Sequence, residues 1–346
     1  MLDIDGTDGG GQILRTALSL AVVTDTSFRI ESIRGSRPTP GLRPQHLAAV
    51  ELTAACCDAE LSGAEIGSDT LEFEPGDERQ TTLTADVETA GSLTLLFDTV
   101  LPIGAVESSS FEVETTGGTD VKWAPTMAYY RRVKLPLLAR FGLDASVTVE
   151  RSGFYPVGGG AATLRTAPSS LAPISLDQRG TLETVGIYSI ASESLSKQEV
   201  ADRQASRAED LLYDSDFPAS VERADYVPVQ SPGSALLVRG VYAETLLGAD
   251  ALGERGRPSE EVAQLAVDRF RAAHGTGVPV DEHMADQLLI FLALAGGDVR
   301  LPALTDHVRT NLDVLQAFGS DIELTEGDQP RVTATAHPHV ASERPE

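Results

Sequence analysis

The sequence predicts an α+β protein of the two-layer α/β kind: three repeated βαβαββ-type units packed around a common axis, with a smaller α+β domain inserted. Three observations predict it. A chain of 346 residues, 41% of them hydrophobic, has enough apolar surface for more than one domain. One order of patterns occurs three times: an apolar helical run, an alternating strand, a polar loop, a second helix and two further strand-like runs. Residues 178–278 do not follow that order and interrupt it before its third occurrence.

The first unit opens with a strand at "LDID" (2–5) and a helix at "GGGQILRTALSLAVVT" (9–24). The strand "SFRIESI" (27–33), the loop "RGSRPTPG" (34–41), a helix near 42–57 and two strands within 59–76 complete it. The second unit runs through a helix at 89–104, a strand at 109–116, the loop "GGTDVKWAP" (117–125), a helix near 126–141 and paired strands within 145–166. The third has a helix at "EHMADQLLIFLALAGG" (282–297), a strand at 297–304, the loop "TDHVRTN" (305–311), a helix through "LDVLQAF" and strands within 321–336. Each strand alternates apolar and polar residues, as a sheet with one buried face requires, so two helices per unit cover that face. The interruption holds a strand "LETVGIYSIAS", a polar helix "SKQEVADRQASRAEDLLYDS", two more strands and a last helix "SEEVAQLAVDRFRAAHG". The expected division is 1–177 plus 279–336 for the repeated units, 178–278 for the insert and 337–346 for a loose, charged tail whose histidines have no role.

The net charge is −25, with 52 acidic residues against 27 basic ones, and lysine occurs only at Lys122, Lys134 and Lys197. Repulsion on that scale calls for screening, and molar salt supplies it with a Debye length of about 3 Å. The composition points to the cytoplasm of an extreme halophile. Any nucleic-acid partner must then be held by local arginines, under salt that weakens phosphate contacts. The two cysteines, Cys56 and Cys57, are adjacent, which suits packing thiols in a reducing compartment better than a bridge or a zinc site. No apolar run is long enough for a membrane span, and the N-terminus does not read as a secretory signal.

Equivalent loops of a threefold repeat lie near one another. That gathers Arg34, Arg37, Arg43, Gln45 and His46 from the first loop and helix, His307 from the third loop, and Asp8, Gln12 and Arg15 around the glycine run. Guanidiniums suit phosphate, and helix N-termini add N–H donors. "GTDGGGQ" is not a Walker loop, since no Gly-Lys-Ser/Thr follows. His46 sits among Leu42, Leu47 and Val50, so packing and ligand binding are both open to it, and His307 also suits a place beside a helix cap. Spacing alone leads to a phosphate-handling cleft.

"GGGQILRTALSL", "IRGSRPTPGLRPQHL", "GGTD", "GFYPVGGG", "HMADQL" and "DHVRTNL" together resemble the RNA 3′-terminal phosphate cyclase family, in order from about residue 3 to 325. The resemblance implies three repeated two-helix, four-stranded units with an inserted α+β domain. It also implies an ATP-dependent ligase-type reaction that turns an RNA 3′-phosphate end into a 2′,3′-cyclic phosphate, releasing AMP and pyrophosphate. By similarity His307 is the nucleophile that becomes adenylylated. His283, Met284, Ala285, Asp286 and Gln287 match the nucleotide-binding segment, with His283 stacking on adenine. Gln12, Arg15 and Asp98 fall near ATP, Asp98 replacing a glutamine. Arg34, Arg37, Arg43, Gln45 and His46 match positions that hold phosphates of ATP or of the RNA end. Asp8 stands where the family has glutamate near a divalent magnesium or manganese ion. Two other readings stay open: a non-catalytic ribosomal-RNA-processing factor of the same fold, and a transferase for small phosphorylated metabolites.

Overall fold

The computed structural model describes residues 1–87 and 89–338. It is a mixed α+β structure of four four-stranded sheets and, among the described residues, ten α-helices. In chain order the first elements are β1 (Leu2–Asp5), α1 (Gly11–Thr24), β2 (Phe28–Glu31), α2 (Pro44–Cys57), β3 (Glu60–Ser62) and β4 (Leu71–Glu74). Next come β5 (Thr82–Asp86), α3 (Leu93–Val106), β6 (Phe111–Gly117) and α4 (Met127–Tyr129). A π-helical turn (Tyr130–Lys134), α5 (Leu135–Ala139), β7 (Ala145–Arg151) and β8 (Gly160–Thr166) follow. After β9 (Ile174–Leu176) come β10 (Leu182–Ser192), a 3₁₀ turn (Glu193–Gln198), α6 (Val200–Tyr213), β11 (Ala219–Val227), β12 (Ser234–Tyr242), β13 (Leu246–Leu252) and α7 (Ser259–Thr276). The chain closes with α8 (Glu282–Gln287), α9 (Leu289–Ala295), β14 (Gly297–Arg300), α10 (Asp306–Ala317), β15 (Ile322–Thr325) and β16 (Arg331–Ala334).

Three sheets share one strand order and one sense. They are β1-β2-β4-β3, β5-β6-β8-β7 and β9-β14-β16-β15. In each, the first two strands are parallel and the remaining pairs antiparallel. Period-two alternation sets their buried faces: Phe28 and Ile30 on β2, Leu71 and Phe73 on β4, Phe111 and Val113 on β6. The fourth sheet, β11-β10-β12-β13, lies in the chain between β9 and β14.

The helices meet one another rather than water. Helix α1 packs against α2, α3 and α10, and is buried almost all round, which fits its apolar composition. Two polar contacts set its register: Ser19 Oγ donates to Thr99 O at 2.6 Å, and Thr16 Oγ1 donates to Asn311 Oδ1 at 2.8 Å. One core cluster runs through these helices and three sheets. A second, built from side chains such as Ile187, Leu236, Val262 and Phe270, lies under α6 and α7 on the fourth sheet.

Several elements differ from their sequence reading. The long helix expected at 282–297 is split into α8 and α9, with Leu288 between them. The helix near 126–141 contains the π turn, a feature that concentrates at functional sites. Strands β5, β9 and β13 had no sequence signal strong enough to find them. In β13, "LLGADAL", a glycine and an aspartate mask a segment that is buried over nearly its whole length. His337 is not part of a loose tail: it is buried, and its N–H donates to Ala293 O at 3.1 Å. The rest of that tail from residue 339 lies outside the described residues. Cys56 and Cys57 are buried free thiols on α2, as expected, and burial pushes Cys56 up to about 12. No helix among the described residues is long and apolar enough to cross a membrane.

Candidate active site

The sequence predicts a loop over 305–311 with the helix after it; the structure starts α10 earlier, at Asp306, with His307 on its first turn. Thr305 is the N-cap of α10, its hydroxyl accepting the Val308 N–H at 3.2 Å. Val308, Leu312 and Leu315 bury one face and leave His307 exposed on the first turn. One turn on, Asn311 is buried and does two things. Its Oδ1 accepts from Thr16 on α1 at 2.8 Å, and its Nδ2 donates to the Asp286 carbonyl on α8 at 2.9 Å. That side chain therefore fixes α10 against both helices that face His307.

His307 lines a cleft of about 460 Å³ with Gln12 and Arg15 from α1 and His283, Asp286 and Gln287 from α8. Arg15 Nη2 donates to Gln12 Oε1 at 2.8 Å. Burial pulls the Arg15 pKa down, and the carboxylates of Asp98 and Asp286 oppose it. Burial also raises the Asp286 pKa, against the charges of His307, His283 and Lys134. Asp98 stands in a small adjoining pocket shared with Gln12, Arg15, Asp286 and Gln287. There it accepts from Lys134 Nζ at 2.5 Å, and the same ammonium donates to Gln287 Oε1 at 3.1 Å. Met284 and Ala285 are buried, so the short helix α8 turns Glu282, His283, Asp286 and Gln287 to the cleft and these two to the core.

The other flank of α8 is tied to the fourth sheet. Asp281 caps α8 by accepting the Met284 N–H at 3.0 Å, and it also takes the Gly248 N–H of β13 at 2.7 Å and the Tyr129 hydroxyl at 2.5 Å. Asp250 of β13 accepts the Thr126 N–H at 2.7 Å and lies 3.2 Å from His283 Nε2. Burial works against a charged His283, but Asp250 and then Asp281 and Asp286 win and push it up to about 9. An imidazolium therefore sits in the cleft wall at neutral pH, edge-on to Tyr129 with centroids 5.0 Å apart.

The first-loop residues do not line this cleft but abut it. A Cβ on Gly11 would lie 2.5 Å from His46 Nε2 and 2.9 Å from Arg15 Nη1, so both side chains close on that glycine. Gly10, with φ 60°, leaves room for Arg37 in the same way, 3.0 Å from its Nη2. Burial and then the cations Arg15, Arg34 and Arg43 hold the His46 imidazole down to about 3. His46 Nδ1 accepts the Arg43 N–H at 3.2 Å. Arg34 spends one end of its fork on its own loop, donating to Thr39 O at 2.7 Å and Gly41 O at 3.0 Å. Gln45 Oε1 accepts the Ser92 N–H at the start of α3, at 3.1 Å. Arg37 and Arg43 are exposed.

Asp8 lines a neighbouring groove with Asp3, Asp5, Ile13, Asp313 and Thr310, whose hydroxyl donates to the His307 carbonyl at 3.3 Å, and among the described residues there is no group of three or more His, Cys, Asp or Glu side chains that could hold a metal ion.

Sequence reasoning missed Lys134, Asn311, Asp250 and Trp123. Lys134 had one available signal, its rarity as one of three lysines. Asn311 and Asp250 act through partners far away in sequence, which no local pattern reveals. Taken together, an exposed imidazole on a helix's first turn faces a cleft with a guanidinium and an imidazolium. That arrangement can receive a phosphorylated ligand and attack it.

Comparison with known proteins adds the following. Residues 7–322 match the family model described as RNA 3′-terminal phosphate cyclase. A Halobacterium salinarum protein named RNA 3′-terminal phosphate cyclase is 42% identical over 344 residues, covering 96% of this chain and 99% of its own. Proteins of the same name from Hyperthermus butylicus and Caldivirga maquilingensis are 38% and 39% identical, the first covering 94% of both chains and the second 100% of both. Among solved structures, the enolpyruvyl transferase NikO from Streptomyces tendae aligns over 97% of this chain and 66% of its own at 11% identity, with a TM-score of 0.29 that carries no argument.

Proposed function

The chain belongs to the RNA 3′-terminal phosphate cyclase family, a family of enzymes, and from that membership we propose that it closes RNA 3′-phosphate ends into 2′,3′-cyclic phosphodiesters at the His307 cleft, using ATP. The single observation that carries the site is that His307 lines one cleft with Arg15, His283, Asp286 and Gln287. His283, Asp286 and Gln287 hold the nucleotide, and Arg15 neutralises its phosphates. Gln12 and the Lys134–Asp98 pair keep Arg15 and Gln287 in place.

A neutral imidazole nitrogen of His307 attacks the α-phosphorus of ATP, and pyrophosphate leaves. The phosphoramidate so formed is reactive because a protonated imidazole is a good leaving group. An oxygen of the RNA 3′-phosphate then attacks the same phosphorus, which frees His307 and gives RNA-(3′)pp(5′)A. The neighbouring 2′-hydroxyl attacks the 3′-phosphorus, loses its proton to solvent, and AMP departs. Positioning and charge neutralisation supply most of the rate, as in other phosphoryl transfers. Arg37 and Arg43, both exposed, would meet the RNA end in this reading. A magnesium or manganese ion would be held by Asp8, directly or through a bridging water, and would neutralise phosphate charge.

We extend the proposal to architecture and setting. The three sheets of common strand order are three copies of one unit, and the fourth sheet with α6 and α7 is an inserted domain. Its place follows the first strand of the third copy, since β9 pairs with β14 across the insert. The acidic composition is that of a cytoplasmic protein working in molar salt.

The test is incubation with α-labelled ATP and a divalent metal. The protein gains an acid-labile, hydroxylamine-sensitive AMP label, and adding 3′-phosphorylated RNA converts it to a cyclic end. His307→Ala abolishes the label and keeps the fold. A His307→Ala protein that still takes the label would remove His307 as the attacking group.

A further inference from the structure

Beside the cleft lies a larger groove, of about 880 Å³, that the reaction above does not use. One wall is the loop before α4 and the segment between β7 and β8. The other is the end of β13 and the start of β12. The walls are fastened at the floor. Val157 N–H donates to Ser231 Oγ at 3.1 Å, and Gly233 lies so close to the Phe154 ring that a Cβ would fall 2.3 Å from it. The groove is continuous with the cleft, because Lys122, Leu252, Glu254 and Arg257 line both.

Two features of this groove stand against the rest of the chain. The first is aromatic. Among the described residues three aromatic side chains are exposed, Trp123, Tyr155 and Tyr213; Tyr155 lines this groove and Trp123 the adjoining cleft. Trp123, the sole tryptophan, is 95% exposed on the cleft side, and Tyr155 is 67% exposed on the groove side. Tryptophan is seldom left in water without a partner to cover it. The second is charge. Lys122, Arg255 and Arg257 outnumber the acidic groups Asp120 and Glu254 in the lining, although acidic residues exceed basic ones 52 to 27 in the whole chain. Glu254 pairs with Lys122 at 3.2 Å and Arg257 at 3.5 Å, which leaves Arg255 as the groove cation outside that cluster.

We propose that this groove carries the single-stranded RNA leading to the 3′ end, with Tyr155 and Trp123 as stacking platforms and Lys122, Arg255 and Arg257 facing its phosphates. The inference rests on the cyclase reading of the cleft. Aromatic faces combined with cations are how single strands are held without regard to sequence. The strand would pass from the groove over the Lys122–Glu254 divide, so that only its terminal phosphate enters the cleft.

The test compares two substrates, a 3′-phosphorylated dinucleotide and a 3′-phosphorylated oligonucleotide of about ten nucleotides, within the usual single-strand site sizes of roughly 4–16. Tyr155→Ala combined with Arg255→Ala raises KM for the oligonucleotide about tenfold or more and leaves KM for the dinucleotide near its wild-type value. Tyr155→Phe, which keeps the ring, restores stacking. Arg255→Ala lowers the slope of log KM against log salt by about 0.7. Self-adenylylation needs no RNA and reports separately on the cleft. Equal KM changes for both substrates would overturn the groove, and so would no change for either. A wild-type protein that takes no AMP label would sink the reading of the cleft and with it the basis for an RNA track. A wild-type protein that labels but does not distinguish the two substrates would assign the groove to another partner.

Discussion

Lys134 is the perturbation with the sharpest expected outcome. Its side chain is 2% exposed and that of Asp98 11%, with 2.5 Å between ammonium and carboxylate. At an effective dielectric of about 20, that separation gives an attraction of about 7 kcal/mol, most of it offset by taking both charges out of water. Lys134→Met keeps the length of the stem and removes the charge. Asp98 is then buried with only the Arg15 charge, beyond ion-pair distance, to balance it, and Gln287 Oε1 loses its donor. Breaking a buried pair from one side costs roughly 3–5 kcal/mol. The double variant Lys134→Met/Asp98→Leu removes both charges and should recover most of that loss, to within about 1–2 kcal/mol of wild type. Urea unfolding of the three proteins at fixed salt measures this. The AMP-labelling rate at low ATP measures whether Gln287 has moved. A single variant within about 1 kcal/mol of wild type would refute the argument, because the pair would then not be desolvated. A double variant as unstable as the single one would refute it differently, by showing that packing and not charge sets the cost.

Other expectations follow from the same contacts. Asn311→Leu takes away the acceptor of the Thr16 hydroxyl and one donor to the Asp286 carbonyl, which costs about 1–3 kcal/mol and slows labelling more than Arg309→Ala on the exposed face does; equal effects in a labelling assay would remove Asn311 as the clamp between helices. His283, raised to about 9, contributes stability that is fully present below its ordinary pKa of 6.5 and is lost as pH rises through 9. Nitrogen-detected NMR should find its ring still doubly protonated at pH 8, and His283→Gln should flatten the alkaline limb of Tm against pH. His46, held down near 3, has the opposite sign: its contribution is present above 6.5 and is lost as pH falls towards 3, so His46→Gln should flatten the acid limb. Raising KCl from dilute buffer to molar concentration should raise Tm, since −25 of net charge is then screened over about 3 Å; full stability in dilute buffer would contradict the halophilic reading.

Local pattern was enough for much of this molecule. Alternation in "SFRIESI" and "SSFEVETT" gave β2 and β6, and the run around α1 marked a helix buried on most sides. The apolar spacing of "LDVLQAF" marked the body of α10, while its first turn, read from sequence as loop, was set by the Thr305 cap. The motif residues Gln12, Arg15, His283, Asp286, Gln287 and His307 were all legible, and all of them line one cleft. Tertiary structure decided the rest. It set Asp8 in a neighbouring groove, engaged Gln45 at the start of α3 and Arg34 with its own loop, put Arg37 and His46 against the glycine run rather than in the cleft lining, and left Arg43 exposed. It also brought Lys134, Asp250 and Asn311 to the site. Side-chain periodicity reports which face of an element is buried, and so it finds helices and strands. It says nothing about which distant carboxylate or carbonyl a buried polar group will meet, because that pairing exists only once 100 or more intervening residues have folded, as between Lys134 and Gln287 or Thr16 and Asn311.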